Sequence, residues 1–227
     1  MKKFGVCTIF SLGVFCALLL LAPINAFADT VTLTVDSFGP WSGTGAGAAH
    51  VYPYTFSVSD SASTISLMCL SFKNDIHIGE SWDATPTQVA GNTAYEEAAY
   101  IFSLTGTLGA EVTQWADWEL FDPNDTVLTD AMPSADVNEV NNLLADATTP
   151  GSAAYYVANN PDSPLYSEYV IYVPADPDNV SPSSDGEPQI LIGVESPEPS
   201  SFILLGSGLL GLVALFYGRK RKALKSV

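Results

Sequence analysis

Few side chains of this chain have the reactivity that a chemical role requires, and the most prominent is a cysteine. Of the three cysteines, Cys7 and Cys16 lie in an apolar N-terminal stretch, and only Cys69 lies in the polar body of the chain. Without that stretch, Cys69 has no partner for an intramolecular disulfide. An unpaired cysteine of this kind is a candidate for an intermolecular bond or a reactive thiol.

The other candidate groups form no recognisable catalytic or metal-binding arrangement. His50 lies in a glycine-rich segment and His77 follows Asp75 closely, and neither is spaced for a zinc site or a serine nucleophile. Two acidic turns, residues 122–125 and 176–179, offer oxygen ligands, but neither continues as an EF-hand loop. We therefore predict that the protein is not an enzyme and has no metal or cofactor. Calcium binding is the alternative to a plain acidic surface.

The charge of the chain is unevenly distributed. It carries 25 acidic and 8 basic residues, a net charge of −17. All the acidic residues lie between Asp29 and Glu198, and Lys73 is the only lysine or arginine in that stretch. Because such a surface repels phosphates and anionic lipids, we predict no nucleic-acid partner.

The N-terminus has the features of a secretory signal. Lys2 and Lys3 precede an apolar run over residues 6–21, and Ala26 and Ala28 supply the small-x-small pattern of a cleavage site. We predict a signal peptide over residues 1–28, cleaved after Ala28.

The C-terminal segment, residues 194–227, has three successive parts. A proline–glutamate–proline motif is followed by an apolar run over residues 202–217 and then by a basic tail over residues 219–225. The run is slightly short for a bilayer core of about 30 Å. We predict a single transmembrane helix whose cationic end stays in the cytoplasm, so that the body of the chain lies outside. The motif residues are Pro197, Glu198 and Pro199, and the stopping cations are Arg219, Lys220, Arg221 and Lys222.

These three parts, in this order, resemble a PEP-CTERM sorting signal. The resemblance implies an exported protein of a Gram-negative bacterium that makes exopolysaccharide. An exosortase would be its processing partner, cutting near residues 197–199 and removing the helix. The protein would pass through an inner-membrane intermediate to the cell surface or extracellular matrix.

The body, residues 29–193, divides into strands, a group of helices and further strands. Apolar patterning predicts strands over residues 30–35, 51–58, 64–72, 169–173 and 189–194. Helical spacing predicts three helices, from Thr93 to before Gly106, over 111–120 and over 136–147. Asp136 and Glu139 have the spacing of an acidic capping box for the third. This order predicts one extracellular α+β domain, with a β-sandwich carrying a helical insert as the alternative.

Cys69 lies on the third predicted strand, and the second predicted helix contains the sequence Thr113-Gln114-Trp115-Ala116-Asp117-Trp118. This combination resembles the thioester domains of bacterial surface adhesins, which carry a TQXA motif on a helix. The resemblance implies that Cys69 is the thioester cysteine and Gln114 the acyl donor. Thr113, Ala116 and Trp118 fall on the remaining letters of the motif, whereas Asp117 stands where an aliphatic residue is usual.

The implied chemistry requires that folding hold a thiolate against a carboxamide, an orientation that supplies roughly 7 to 11 kcal/mol of the barrier. Ammonia leaves, and large rings such as those of Trp115 and Trp118 keep water from the thioester. An amine on a surface target then attacks the carbonyl and becomes covalently joined. The scarcity of lysine in the body limits reaction of the protein with itself.

The alternative function needs no covalent chemistry. A passive structural protein of the cell surface, associated with exopolysaccharide, could use the many aromatic side chains of the body to stack on sugars. Aromatic residues are more often part of a core, so this interpretation depends on which of them are exposed.

Overall fold

The computed structural model describes residues 30–59, 64–176 and 188–194, together with residues 207, 208 and 211. The predicted signal peptide with Ala26 and Ala28, the motif at 197–199 and the basic tail lie outside these residues, as does most of the predicted membrane helix. In the part of the chain that is described, no helix is both long enough and apolar enough to cross a membrane.

Six strands form a closed antiparallel barrel. The described residues contain these six strands and two shorter ones, β2 and β3. In chain order they are β1 (Val31–Ser37), β2 (Trp41–Ser42), β3 (Ala49–His50), β4 (Tyr54–Val58), β5 (Thr64–Cys69), β6 (Ser81–Gln88), β7 (Tyr169–Pro174) and β8 (Leu191–Val194). The order around the barrel is β1, β4, β5, β8, β7 and β6, and β6 pairs with β1 to close it. The short strands β2 and β3 pair separately as a hairpin.

The alternation of side chains along β5 explains why this strand is apolar on both faces. Leu67 and Cys69 point into the barrel, where they pack with Phe56, Trp82 and Leu191. Met68 and Leu70 point outward and are equally buried, because helices cover that face. Both faces of the strand are therefore buried at its C-terminal end.

The helices are inserted in one connection, between β6 and β7. They are α1 (Thr93–Ser103), α2 (Thr105–Leu108), α3 (Ala110–Phe121), α4 (Thr126–Ala131), α5 (Val137–Thr148) and α6 (Ala153–Ala158). The helices α1, α3 and α5 are the three that periodicity predicts. Ala98, Ala99 and Phe102 of α1 pack on the outer face of the barrel, against Ile171 and Ile192. This packing fixes the helical layer on the strands that carry the candidate site.

Two expectations are corrected by the structure. The sheet is a closed barrel and not a β-sandwich, although the helices do form an insert. Asp136 does not cap α5 with its side chain, because its backbone is helical (φ −97°, ψ −18°) and not extended as at a usual N-cap.

Candidate functional site

The candidate site lies at the end of β5, where the chain approaches β8. Cys69 is paired with Leu191, and the Leu70 amide donates to the Ile190 carbonyl at 2.9 Å, so the ladder continues beyond both strands. This register places Gln189 diagonally across from Cys69 on the same face of the sheet. Diagonal neighbours in an antiparallel pair are within reach of each other's side chains.

The thiol of Cys69 contacts the side chain of Gln189. It donates to the Gln189 Oε1 atom and also to the Ser71 carbonyl oxygen, at 2.9 Å. Both side chains are buried, with exposed fractions of 1% for Cys69 and 5% for Gln189. A nucleophilic sulfur and a carboxamide are therefore held together away from solvent.

Gln114 also reaches Cys69, but through the backbone. Its Nε2 donates to the Cys69 carbonyl oxygen at 2.5 Å, and its Oε1 accepts from the Tyr52 amide at 3.2 Å. Both ends of the amide are thus occupied by main-chain groups, and the side chain is fully buried. The hydrogen bonds of the Gln114 side chain therefore join α3 to the main chain at the end of β5, and the role of acyl donor that the motif implies for Gln114 stays a prediction.

The rest of the motif is distributed over the packing around the site. The Thr113 hydroxyl donates to the Gly109 carbonyl at 3.0 Å within α3, and Ala116 is fully buried. The Trp115 indole donates to Ser42 at 2.9 Å, and its ring meets that of Trp118 edge to face, 5.0 Å apart. The two tryptophans are almost wholly buried, as a role in excluding water requires.

The electrostatic environment of Cys69 disfavours the thiolate form of its side chain. Burial raises the pKa of the thiol to about 12, and the nearby carboxylates Asp122 and Asp117 add to the increase. Hydrogen bonding from the Ser71 backbone and the Trp118 indole opposes the increase. The Trp118 N–H lies near the sulfur but makes no hydrogen bond of good geometry among the described residues. At neutral pH the sulfur is therefore protonated when free.

Asp117 is the most unusual polar side chain near the thiol. It lies one helical turn after Gln114, is fully buried, and neither carboxyl oxygen has a hydrogen-bond partner in the described part of the chain. Burial raises its pKa well above the usual value, which favours the neutral carboxyl over the carboxylate.

Lys73 forms ion pairs with carboxylates that follow the C-terminal end of α3, the helix that carries Gln114 and Asp117. Its ammonium lies 3.0 Å from Asp122 and 3.9 Å from Asp125, and the hydrogen bond to Asp122 raises the pKa of Lys73. Asp122 also accepts from the Phe72 amide at 2.8 Å. Lys73 is held as an ammonium ion, which is a poor nucleophile toward the site.

Sequence reasoning missed Gln189, although the chain has only two other glutamines, Gln88 and Gln114. A signal was available, because Gln189 is the first and only polar residue of the strand that apolar patterning predicts over residues 189–194. Its proximity to Cys69 depends on pairing between strands about 120 residues apart, which the pattern within each strand does not specify. Among the described residues, no group of three potential ligands is placed to hold a metal ion.

Comparison with known proteins identifies one region of the chain. Residues 197–222 match the PEP-CTERM protein-sorting motif. No curated protein and no solved structure matches the chain. The motif assigns the protein to export and to membrane-associated sorting toward the cell surface by an exosortase-type enzyme. The motif does not identify the chemistry of the folded body, which it does not cover.

Proposed function

We propose that the exported body of this protein carries an internal thioester between Cys69 and Gln189, and that it captures amines covalently at the surface of a Gram-negative cell. The observation that carries the proposal is the contact between the Cys69 thiol and Gln189 Oε1 in a buried site. In the same proposal, the signal peptide is removed after Ala28, and processing near residues 197–199 releases the C-terminal helix.

Formation of the thioester follows from this proximity. The Cys69 sulfur attacks the carboxamide carbon of Gln189, the carbon–nitrogen bond breaks, and the nitrogen leaves as ammonia with the thiol proton. Because folding holds the two groups in contact, the reaction is intramolecular. This lowers its free-energy barrier by roughly 7 to 11 kcal/mol. Gln114 supports the step by fixing the Cys69 carbonyl.

Capture reverses the roles of the two residues. A primary amine of a surface target attacks the thioester carbonyl, the carbon–sulfur bond breaks, and the amine proton goes to Cys69. The target is then joined to the side chain of Gln189 by an amide bond, and Cys69 is a free thiol. An amine-bearing surface molecule is therefore the partner class, and no cofactor is consumed.

The test is the intact mass of the protein, expressed as the full chain and purified after export, before and after treatment with methylamine. We expect a mass lower than the processed sequence by one molecule of ammonia, followed by addition of one methylamine that peptide mapping locates at Gln189. Addition at Gln114 would instead support the hypothesis drawn from the motif. A mass equal to the sequence value, with a thiol that titrates in the folded protein, would overturn both.

Matched variants separate the site from general effects. Cys69→Ala and Gln189→Ala should each abolish the mass deficit and the capture of methylamine. Gln88 lies on the exposed end of β6, so Gln88→Ala should leave both unchanged. Gln114→Ala should reduce the yield of thioester without moving the position of capture.

One observation favours the second candidate, a non-covalent surface protein associated with exopolysaccharide. Trp41 is 63% exposed on the β2–β3 hairpin, and its ring meets His50 edge to face, 4.7 Å away. Flat exposed rings of this kind stack on sugars. Polysaccharide binding that survives Cys69→Ala and Gln189→Ala but is lost in Trp41→Ala would favour this candidate.

A further inference from the structure

The inference concerns Asp117, and it rests on the proposed thioester. α3 is fixed along the end of β5 at two points, by Gln114 on the Cys69 carbonyl and by Asp122 on the Phe72 amide. Asp117 and Trp118 lie between these points on the helix. Asp117 and Trp118 follow Gln114 by three and four residues, so they lie on the same face of α3 as Gln114, the face that meets the end of β5.

A buried carboxyl group without a hydrogen bond destabilises a protein, since it loses its contacts with water and gains none in return. Both oxygens of Asp117 are in this position within the described chain, and the residue is fully buried. Leucine has nearly the same size and would fill the site without that cost. The presence of an acid here therefore needs a chemical explanation.

Both chemical steps require a proton for the group that leaves, and a nearby acid would supply it. When the thioester forms, the departing nitrogen must gain a proton, and when an amine is captured, the departing Cys69 sulfur must gain one. Burial raises the pKa of the thiol to about 12, so the sulfur is a poor leaving group unless it is protonated as it departs. Burial raises the pKa of Asp117 as well, which favours the protonated acid that such a transfer requires.

We propose that Asp117 is the proton-transfer residue of the thioester site. Its carboxyl gives a proton to the group that leaves, ammonia during formation and the Cys69 sulfur during capture. The resulting carboxylate then takes a proton from the group that attacked, the thiol or the amine. The acid is restored after each step, and no oxidant, metal or co-reactant is needed.

The test compares Asp117→Asn with the native protein, both purified after export, using methoxyamine as the probe. Methoxyamine is already unprotonated at neutral pH, so its own titration does not distort the profile. Because general acid catalysis contributes about 100-fold or more, we expect Asp117→Asn to slow capture by at least that factor at pH 7. We also expect the native rate to fall at higher pH as Asp117 loses its proton, and Asp117→Asn to lack that decline.

The decline can be assigned because, within the described residues, few other titratable groups interact with Cys69. They are Asp122 and Tyr54, whose pKa is raised by burial, and the Cys69 thiol itself does not titrate while it is in the thioester. Glu119→Gln is the matched control: it removes another carboxyl of raised pKa from α3, but one that does not act on Cys69. Its rate and pH profile should be native.

Three outcomes decide the matter. A slow rate and a flat profile in Asp117→Asn, with a native control, support the proposal. A thioester that reacts at the native rate in Asp117→Asn overturns the role of Asp117 and leaves the thioester intact. Absence of the mass deficit in the native protein removes the thioester itself. If Asp117→Asn does not fold, Asp117→Leu and the pH profile of the native protein carry the same test.

Discussion

At the scale of single residues, the same buried acid that would serve proton transfer should also make folding sensitive to pH. The Asp117 carboxyl is fully buried and unpartnered among the described residues, and burial raises its pKa well above the usual value. The folded state therefore favours the protonated form, whereas the unfolded chain ionises near pH 4. The contribution of this group to stability is complete below that pH and is lost as pH rises toward the folded pKa.

We predict that Asp117→Leu is more stable than the native protein by a margin that grows with pH. Between about pH 4 and the folded pKa, the difference in the free energy of unfolding should widen by up to about 1.4 kcal/mol per pH unit. Urea unfolding of both proteins at a series of pH values measures it. A margin that does not change with pH would show that Asp117 is not neutral in the folded protein.

At the scale of secondary-structure elements, the site depends on how closely β8 approaches β5. Gly193 of β8 is paired with Leu67 of β5. A Cβ atom at Gly193 would lie 2.4 Å from Leu67 Cδ2 and 3.2 Å from the Ser66 carbonyl oxygen. Leu67 is fully buried in the barrel, so it has little room to move aside.

We predict that Gly193→Ala separates the two strands and lowers both stability and thioester yield. Overpacking of this kind costs typically 1–3 kcal/mol, and Gln189, four residues earlier on the same strand path, would shift away from Cys69. Gly106→Ala is the control, because nothing lies within 4 Å of a Cβ atom there. Urea unfolding and the intact-mass deficit measure the two effects. A native deficit in Gly193→Ala would contradict the link between strand spacing and the thioester.

The elements themselves were largely predictable, but their arrangement was not. Alternation and helical spacing located β1, β5, β7 and the helices α1, α3 and α5, because each pattern is a property of one short segment. Strand β6 was missed because Pro86 and its polar neighbours are atypical of a sheet interior. Gln189 was missed because its contact with Cys69 depends on barrel closure. The helix motif pairs Gln114 with Cys69, whereas in the structure Gln114 binds the backbone of Cys69 and Gln189 contacts its thiol.

At the scale of the whole molecule, the charge of the chain should select among amines. With 25 acidic and 8 basic residues, and Lys73 the only lysine or arginine between Asp29 and Glu198, the exported body is strongly negative. Such a field concentrates cations near the surface and accelerates their encounter with it. Lysine side chains and polyamines should therefore reach the site faster than neutral amines.

We predict that capture of 1,5-diaminopentane slows as salt increases, while capture of methoxyamine changes little. The diamine is cationic at neutral pH and is steered by the acidic surface, an advantage of about tenfold or more that added salt screens. Rates of mass increase at low and high sodium chloride concentrations measure the effect. Equal salt dependence for the two amines would exclude a role of the surface charge in selection.

The position of Gln189 in the chain has a mechanical consequence for a captured target. Gln189 lies eight residues before Pro197 and two residues before β8, the last strand of the barrel. In the proposed captured state the bond from Gln189 to Cys69 is broken, so a pull between the target and the processed end of the chain near residues 197–199 passes through β8 alone. The other strands and the helical layer do not lie on the chain between Gln189 and this end. They therefore carry no tension as long as β8 stays paired in the barrel.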